Sequence, residues 1–518
     1  MTPPALRLPR VWLPSVLCAA LLSACAVGPD YTRPDLTKGA GYTRQPLPTT
    51  ASADGRTGGA AQHFANGQDV PGQWWQLFHS PELNTLVQEA LKANPSAAAA
   101  QASLRQANEL VYASQASFFP SISGSVSETR ERQGFFTFPA QVFTVASASL
   151  SVSYAPDIFG GTRRQVESAK AQAQYQRFQL EATYLTLTTN VVNTAVTLAS
   201  IRDQIAATES LIQLQAKELD ILQERQHLGA VSSADVLAQQ ATLAQTRAGL
   251  PPLHKQLAQA RNQLAAYLGR FPNQTPIENF TLSSLHLPET LPLSLPSAIV
   301  EQRPDVRAAE AQLHQTSAEI GVAIANQLPQ FSITGSLGSS ASSLSKLFTS
   351  GTGLWSIVGS VAQTIFDAGA LEHKKRAAVA AFDASADQYR GTVIGAFQDV
   401  SNSLRALESD ADALQQQSDA ERAAQDSLNL AQGQYKLGAV SYPSLLSAQQ
   451  TYQNAVLARV KAQAARYSDT AALFQALGGG WWNRSDVAAA SRGQPLSIGL
   501  PLVSSMIPSS DHTEQPNQ

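Results

Sequence analysis

Apolar positions along this chain follow two rhythms, and each rhythm occurs twice. The first has period two. Over residues 145–154, Ala146, Ala148, Leu150, Val152 and Tyr154 alternate with Ser147, Ser149, Ser151 and Ser153. Ile122, Gly124 and Val126 alternate with Ser121, Ser123 and Ser125, and Phe331, Ile333 and Leu337 with Ser332, Thr334 and Ser336. A fourth, less regular run covers residues 354–366. Side chains on a strand point to opposite faces in turn, so these runs predict strands at about 121–129, 145–155, 330–338 and 354–365. About ten residues alternating apolar and small-polar is the pattern of a membrane-barrel strand facing lipid on one side and water on the other. A soluble hairpin with one buried face has the same alternation. The polar face here is serine and glycine rather than charge, which favours the barrel.

The second rhythm has spacings of three and four. Leu180, Tyr184, Leu187, Val191, Ala195, Leu198 and Ile205 mark one stripe, and Tyr389, Val393, Ala396, Val400, Leu404, Leu407 and Leu414 mark another. Each lies in a long helical pattern, from near Gly161 to Gly229 and from near Gly369 to Gly438. Some 67 residues at a rise of roughly 1.5 Å span about 100 Å, and a single narrow seam is the packing of a coiled coil. Shorter helices are predicted at 95–118 and 304–327, stopped by Phe119-Pro120 and Leu328-Pro329, because proline disfavours helix in the residue before it. A helix of about 35 residues closes each half. In the first half Pro251-Pro252 interrupts it and predicts a kink or a break.

These elements are one unit written twice. Leu228-Gly229-Ala230-Val231-Ser232 recurs 209 positions later as Leu437-Gly438-Ala439-Val440-Ser441. The same offset carries Asn94-Pro95 onto Arg303-Pro304, Pro120 onto Pro329, and Leu268-Gly269 onto Leu477-Gly478. The organisation expected is an extended N-terminal segment at 25–82, repeats at 83–269 and 292–478 joined by a connector at 270–291, and a flexible tail at 479–518. Four strands cannot close a membrane barrel, whose smallest members have eight. A barrel therefore requires two chains, giving eight strands, or three, giving twelve.

The N-terminus reads as an export signal over residues 1–24: Arg7 and Arg10, an apolar stretch at 11–22, and small residues before a cut site. Leu22-Ser23-Ala24-Cys25 resembles the bacterial lipobox, in which the cysteine is acylated and becomes residue one. Ala26 rather than aspartate follows it, which among such signals favours passage to the outer membrane.

Composition narrows the function. With 36 Lys and Arg against 39 Asp and Glu, the net charge of −3 gives no basic surface for nucleic acid. Charged residues make up 14% of the chain against about 25% in a typical soluble domain, yet the hydrophobic share is an ordinary 43%. Alanine, glutamine and serine replace the missing charge, so a bundle of membrane-spanning helices is excluded. Two cysteines, one of them in the signal, exclude a disulfide framework. No phosphate-cradling loop, nucleophile elbow or zinc-helix motif is present. The histidines at 63, 79, 227, 254, 286, 314, 373 and 512 form no pair at ligand spacing, and the mature chain keeps only Met506 as a thioether. No enzyme activity, cofactor or metal site is expected. Trp74-Trp75 and Trp481-Trp482 read as packing or interface residues, and Phe135, Phe136, Phe138 and Phe143 as either an exposed loop or an aromatic girdle.

Several stretches resemble one family. The run Cys25-Ala26-Val27-Gly28-Pro29-Asp30-Tyr31-Thr32-Arg33-Pro34 looks like the mature start of the OprM/NodT-type lipoprotein branch of TolC-like outer-membrane efflux proteins. Trp74-Trp75-Gln76-Leu77-Phe78, Ala90-Leu91-Lys92-Ala93-Asn94-Pro95, Arg303-Pro304-Asp305-Val306-Arg307 and Ala476-Leu477-Gly478-Gly479-Gly480-Trp481 are similar to its other signatures. The resemblance implies an α+β membrane protein, a tandem-duplicated helical tube with four transmembrane strands per chain that close as a twelve-stranded barrel in a homotrimer. It implies a passive outer-membrane channel for small toxic compounds, lipid-anchored at Cys25 and extending into the periplasm. Its partners would be a periplasmic adaptor and a proton-driven inner-membrane transporter. A protein-secretion duct of the same fold, or a coiled-coil spacer without a channel, are the alternatives. The periplasmic aperture would lie near Gly229 and Gly438. Tyr435 matches a gate tyrosine of the family and Asp235 the acid of the first repeat, though Asp235 also suits an ordinary helix start. Relatives often carry aspartates where this chain has Ser447 and, in some, Ser444, so the usual acidic ring is absent.

Overall fold

The computed structural model describes residues 26–34, 41–43, 47, 49–53, 55–134, 140–274 and 280–484. Cys25, Phe135, Phe136, Phe138, Met506 and the tail from 485 onward lie outside the described residues. The first repeat contains α1 (Pro81–Ala93), α2 (Pro95–Gln115), strands β2 (Ser121–Gln133) and β3 (Gln141–Tyr154), and α3 (Gly161–His227). It ends with α4 (Ser233–Ala248) and α5 (Leu250–Tyr267). The second contains α6 (Ile299–Gln302), α7 (Pro304–Ala325), β5 (Gln330–Ala341), β6 (Gly353–Ala362), α8 (Ala370–Lys436) and α9 (Tyr442–Ala476). A short parallel pair, β1 (His63–Asn66) with β4 (Thr290–Leu293), ties the N-terminal segment to the connector.

The two long helices, α3 and α8, have 67 residues each. Each starts after a left-handed glycine, Gly160 or Gly369. Asp157 accepts from the amides of Thr162 and Arg163 at 3.0 and 2.9 Å, and Asp367 from those of Gly369 and Leu371 at 2.9 and 2.8 Å. These carboxylates satisfy amides that the first helical turn leaves unpaired and suit the positive end of the helix dipole. The Pro251-Pro252 interruption divides α4 from α5 at Gly249, whereas α9 runs unbroken for 35 residues.

The repeats meet along the helical seams. All seven seam residues of α8 are buried, as are those of α3 except the half-buried Tyr184. α3 is buried well beyond its seam, through Val192, Val196, Ala199 and Ile201 as well. A narrow stripe therefore understates this helix, which packs against both repeats at once. The main core joins Trp74, Phe78, Tyr467 and Phe474 to the seams. The Trp74 and Phe474 rings stand 5.3 Å apart. Burying one such aromatic contributes about 2–3 kcal/mol. Arg466, fully buried, clasps the N-terminal loop by donating to the carbonyls of Gly58 and Ala60, both at 2.9 Å, and to Thr50 Oγ1 at 3.1 Å.

A landmark of the duplication shows how the copies diverge. Asn94 donates to the Tyr267 carbonyl at 2.9 Å, and its counterpart Arg303 donates to the Ala476 carbonyl, the equivalent atom, at 3.1 Å. Asn94 also caps α2 through the amides of Ser96 and Ala97, whereas Arg303 pairs with Asp305 and Asp399 at 2.7 and 2.9 Å.

The strands form one antiparallel sheet in the order β2-β3-β5-β6. Its register runs without a bulge, Ser121 opposite Ser153 through Gln133 opposite Gln141. The first hairpin thus extends beyond the alternation, four residues past 129 and four before 145. Backbone pairing continues where Glu131 faces Phe143 and apolar patterning has stopped. The last strand ends at Ala362 rather than near 365, because its partner strand begins at Gln330.

Candidate functional site

One face of the sheet carries a serine ladder. Ser125 and Ser149 meet at 3.0 Å, Ser127 and Ser147 at 2.9 Å, Ser332 and Ser360 at 2.7 Å, and Ser336 and Ser356 at 2.8 Å. The opposite face presents Ile122, Leu150, Ile333, Leu337, Trp355, Ile357 and Val361, all exposed. Exposed apolar residues on one face and hydroxyls on the other make a sheet suited to lipid outside and water within. Among the described residues, β2 and β6 each have one unpaired edge.

The far ends of the long helices make the second locus. The glycines in the two Leu-Gly-Ala-Val-Ser copies, Gly229 and Gly438, sit at φ 75° and 74°, a left-handed conformation costly for other residues. Ala230 and Ala439 donate back to the carbonyls of Arg225 and Gln434, while Gly229 and Gly438 donate to those of Gln226 and Tyr435. Both turns are therefore Schellman motifs. Each sends the chain back along the helix it has just left.

A small core separate from the main one locks this end, with Leu222, Val236, Leu428, Tyr442 and Leu445 buried. Tyr442 donates to Gln239 Oε1 at 2.7 Å, and Gln239 donates in turn to the Gln215 carbonyl at 2.7 Å. The Gln449 amide donates to the Glu218 carboxylate. Burial pushes the Glu218 carboxyl above its ordinary range, against the pull of that bond. The Tyr435 ring lies 5.2 Å from that of Tyr442. Burial and then the negative charge of Asp235 raise the Tyr435 phenol, with Arg225 opposing. A buried polar network of this kind holds one geometry while its bonds are satisfied.

The four aperture candidates divide between the two sides of this core. Tyr435 packs against it and Asp235 stands close enough to act on that tyrosine. Asp235 is also the third residue of a capping box: its amide bonds Ser232 Oγ at 3.2 Å while its carboxylate accepts from the Ser232 amide at 3.3 Å and hydroxyl at 2.8 Å. Ser444 and Ser447 are exposed, on the face of α9 opposite Tyr442, Leu445 and Gln449. Ser444 meets Ser441 at 3.0 Å, and the Ser447 carbonyl accepts from Thr451. Tyr442, Gln239, Gln215, Gln449 and Glu218 had no signal in the sequence, since a buried glutamine on a Gln-rich helix looks like any other.

The profile of the family described as "Outer membrane efflux protein" matches the chain twice, over residues 86–270 and 295–479. The second match begins and ends 209 positions after the first. The chain belongs to the outer membrane efflux protein family. It is similar to the pyoverdine export outer membrane protein OpmQ of Pseudomonas aeruginosa, at 28% identity over 89% of this chain and 96% of that protein. It is equally similar to the toluene efflux pump outer membrane protein TtgC of Pseudomonas putida, at 28% over 91% of this chain and 96% of the relative. Its fold matches that of the outer-membrane channel OprN with a TM-score of 0.77 at 27% identity, covering 88% of this chain and all of that one. The α+β architecture is thus that of an efflux channel, a helical tube continued by barrel strands.

In this outer-membrane efflux protein the segment from Ala26 onward starts at the base of the barrel sheet. Val27 donates to the Phe159 carbonyl at 3.0 Å, and Ala26 packs on Gly160, where β3 gives way to α3. Arg164 then gathers the strap, donating to the Val27 and Gly28 carbonyls and pairing with Asp30 at 2.7 Å. A side chain on Gly28 would strike the Gly321 backbone at 2.5 Å, so glycine is needed where the strap crosses α7. Farther along, Tyr31 stacks on His314 at 4.4 Å and Arg33 pairs with Glu301 and Glu310, both at 3.3 Å. Trp74, Trp75 and Trp481 are packing residues: Trp75 donates to Asn84 at 3.0 Å and Trp481 to the Gln302 carbonyl at 2.6 Å.

Proposed function

We propose that three copies of this chain close a twelve-stranded barrel in the outer membrane and continue it as a helical tube into the periplasm. The tube would conduct small toxic compounds passively outward from a periplasmic adaptor and a proton-driven inner-membrane transporter. The observation that carries this reading is the sheet with two open edges, β2 and β6, and opposite apolar and serine faces. Unpaired edges cannot face lipid, so the edges must pair between chains, and three copies give a twelve-stranded barrel with a hydroxyl-lined lumen. Cys25 carries the lipid anchor in this reading. The position of Ala26 at the foot of the sheet supports it, because an acyl chain there reaches the inner leaflet.

The test is crosslinking in intact cells, followed by identification of the captured proteins. An adaptor together with a proton-driven pump is the expected result. An ATP-driven exporter alone would turn the reading toward protein secretion, and no inner-membrane partner at all would end the efflux assignment.

The aperture belongs to the same proposal. Tyr435 braces the turn from α8 into α9, Asp235 caps the start of α4 after the equivalent turn of the first repeat, and Ser444 and Ser447 face the axis in place of an acidic ring. Carboxylate rings select cations electrostatically, so a serine ring leaves the closed aperture weakly selective. In planar-bilayer conductance, Ser447→Asp should raise the preference for cations severalfold. Unchanged selectivity would remove Ser447 from the constriction.

A further inference from the structure

The first hairpin carries a charged segment that the channel reading leaves unused. Following the register, the outward rows are Phe331 and Val361 at the foot, then Ile333, then Ile122 with Val152 and Ile357. Above them come Leu150 with Leu337 and Trp355, and finally Val126 with Ala148. From Phe331 to Ser339, which lies level with Ala148, is eight steps along β5, about 27 Å of strand. At the usual strand tilt of about 40° it rises about 20 Å, most of the outward apolar band of about 25 Å typical of outer-membrane barrels. On the same face, higher on β2, stand Glu128, Arg130 and Arg132, opposite Ala146, Thr144 and Val142. The lumen face of that stretch carries Thr129, Glu131 and Gln133 and no cation. Both arginines are thus sorted outward. They lie above the level where the second hairpin stops pairing with the first, at Ala341 opposite Ala146. β2 is exposed throughout, and among the described residues neither arginine is ion-paired.

We propose that Arg130 and Arg132 form a binding site for the phosphate groups of a phosphorylated glycolipid in the outer leaflet, one site per protomer. The inference rests on the barrel reading above, which places this face toward lipid and this end toward the cell exterior. Two residues apart on one strand face, the guanidinium groups spring from positions about 7 Å apart. Arginine's planar fork takes phosphate oxygens two at a time. At the edge of a hydrocarbon band such pairs are screened less than in bulk water. The paired charges would fix the hairpin against the membrane surface.

The experiment uses the full-length protein, purified as an SDS-resistant trimer and stripped of lipid. The temperature at which the trimer dissociates is measured with lipopolysaccharide, with the same lipid dephosphorylated, and with inorganic phosphate. Phosphorylated lipid should raise it by several degrees, and the other two should not. Arg130→Gln combined with Arg132→Gln should abolish the rise and weaken lipid retention about tenfold in native mass spectrometry. Glu131→Gln, on the lumen face, should leave both unchanged. Equal effects of phosphorylated and dephosphorylated lipid on the wild-type trimer would overturn the site even if the double variant fails to fold. A rise with inorganic phosphate equal to that with lipid would overturn the lipid assignment. Absence of any trimer before lipid is added would overturn the barrel reading and the site with it.

Discussion

α3 and α8 grow from the same repeat, have the same length and end in the same turn, yet they occupy different surroundings. Among the described residues, α3 packs against α1, α2, α4, α5, α7 and α9, whereas α8 meets only α7 and α9 over any substantial stretch. Of 67 residues each, 24 are buried in α3 and 13 in α8. The sequences differ where the surroundings differ. Val196, Ala199 and Ile201 of α3 are buried, and the residues 209 positions later are Arg405, Glu408 and Asp410. The duplication therefore fixed a seam and a length, and each copy then changed the faces its neighbours reach. α3 became the centre of the protomer. α8 kept a polar flank at the protomer edge, where the proposed trimer places water or the next subunit.

The sharpest way to break that comparison is to exchange what the two helices carry at one position. Val196→Arg puts the α8 residue into a site that is 1% exposed. An unpaired buried charge costs about 3–5 kcal/mol, enough to abolish accumulation of the trimer in the outer membrane. The reverse change, Arg405→Val, removes an exposed pair with Glu408 at 2.7 Å and should shift stability by no more than about 0.5 kcal/mol. Immunoblots of outer-membrane fractions and the trimer dissociation temperature read both. Equal damage from the two changes would show that Arg405 is buried between subunits and that the helices are equivalent in the assembly.

How much of this asymmetry was legible follows from what each signal measures. Period two located four strands because lipid and water demand opposite faces, and it faded at Glu131 and Phe143 where neither demand applies. Glycine stops placed the ends of both long helices to within two residues. The β1–β4 pair was not legible. His63–Asn66 and Thr290–Leu293 are four residues long and carry no alternation, so only tertiary packing selects them. At the proposed aperture, the capping role of Asp235 could be read from its place after Ser232. The Tyr442–Gln239–Gln215 bonds could not, because helical spacing does not distinguish a glutamine facing a neighbour from one facing water.

The smaller effect lies one turn from Arg405. Asp410 of α8 lies beside Asp469 of α9, where the first repeat has Ile201 and Ala260. Burial, then the neighbouring Asp469 carboxylate, raise the Asp410 carboxyl to about 7, with Arg466 opposing. The folded protein therefore holds a proton that the unfolded chain, with an ordinary value of 3.8, releases across the interval from about 4 to 7. Stability from this site is complete below that interval and is lost as pH rises through about 7. The trimer dissociation temperature should accordingly fall between pH 5.5 and 8.5. Asp410→Asn, which cannot ionise, should flatten the profile and stabilise the protein at pH 8.5. The gain is on the order of 1 kcal/mol, since the half-buried site is partly screened by solvent. The comparison sharpens in the other direction as well. Ile201→Asp with Ala260→Asp would install the carboxylate pair in the first repeat, where α3 is more deeply packed, and should steepen the same loss. If wild type and Asp410→Asn trace parallel profiles, the pair shares no proton and this divergence between the repeats has no consequence for stability.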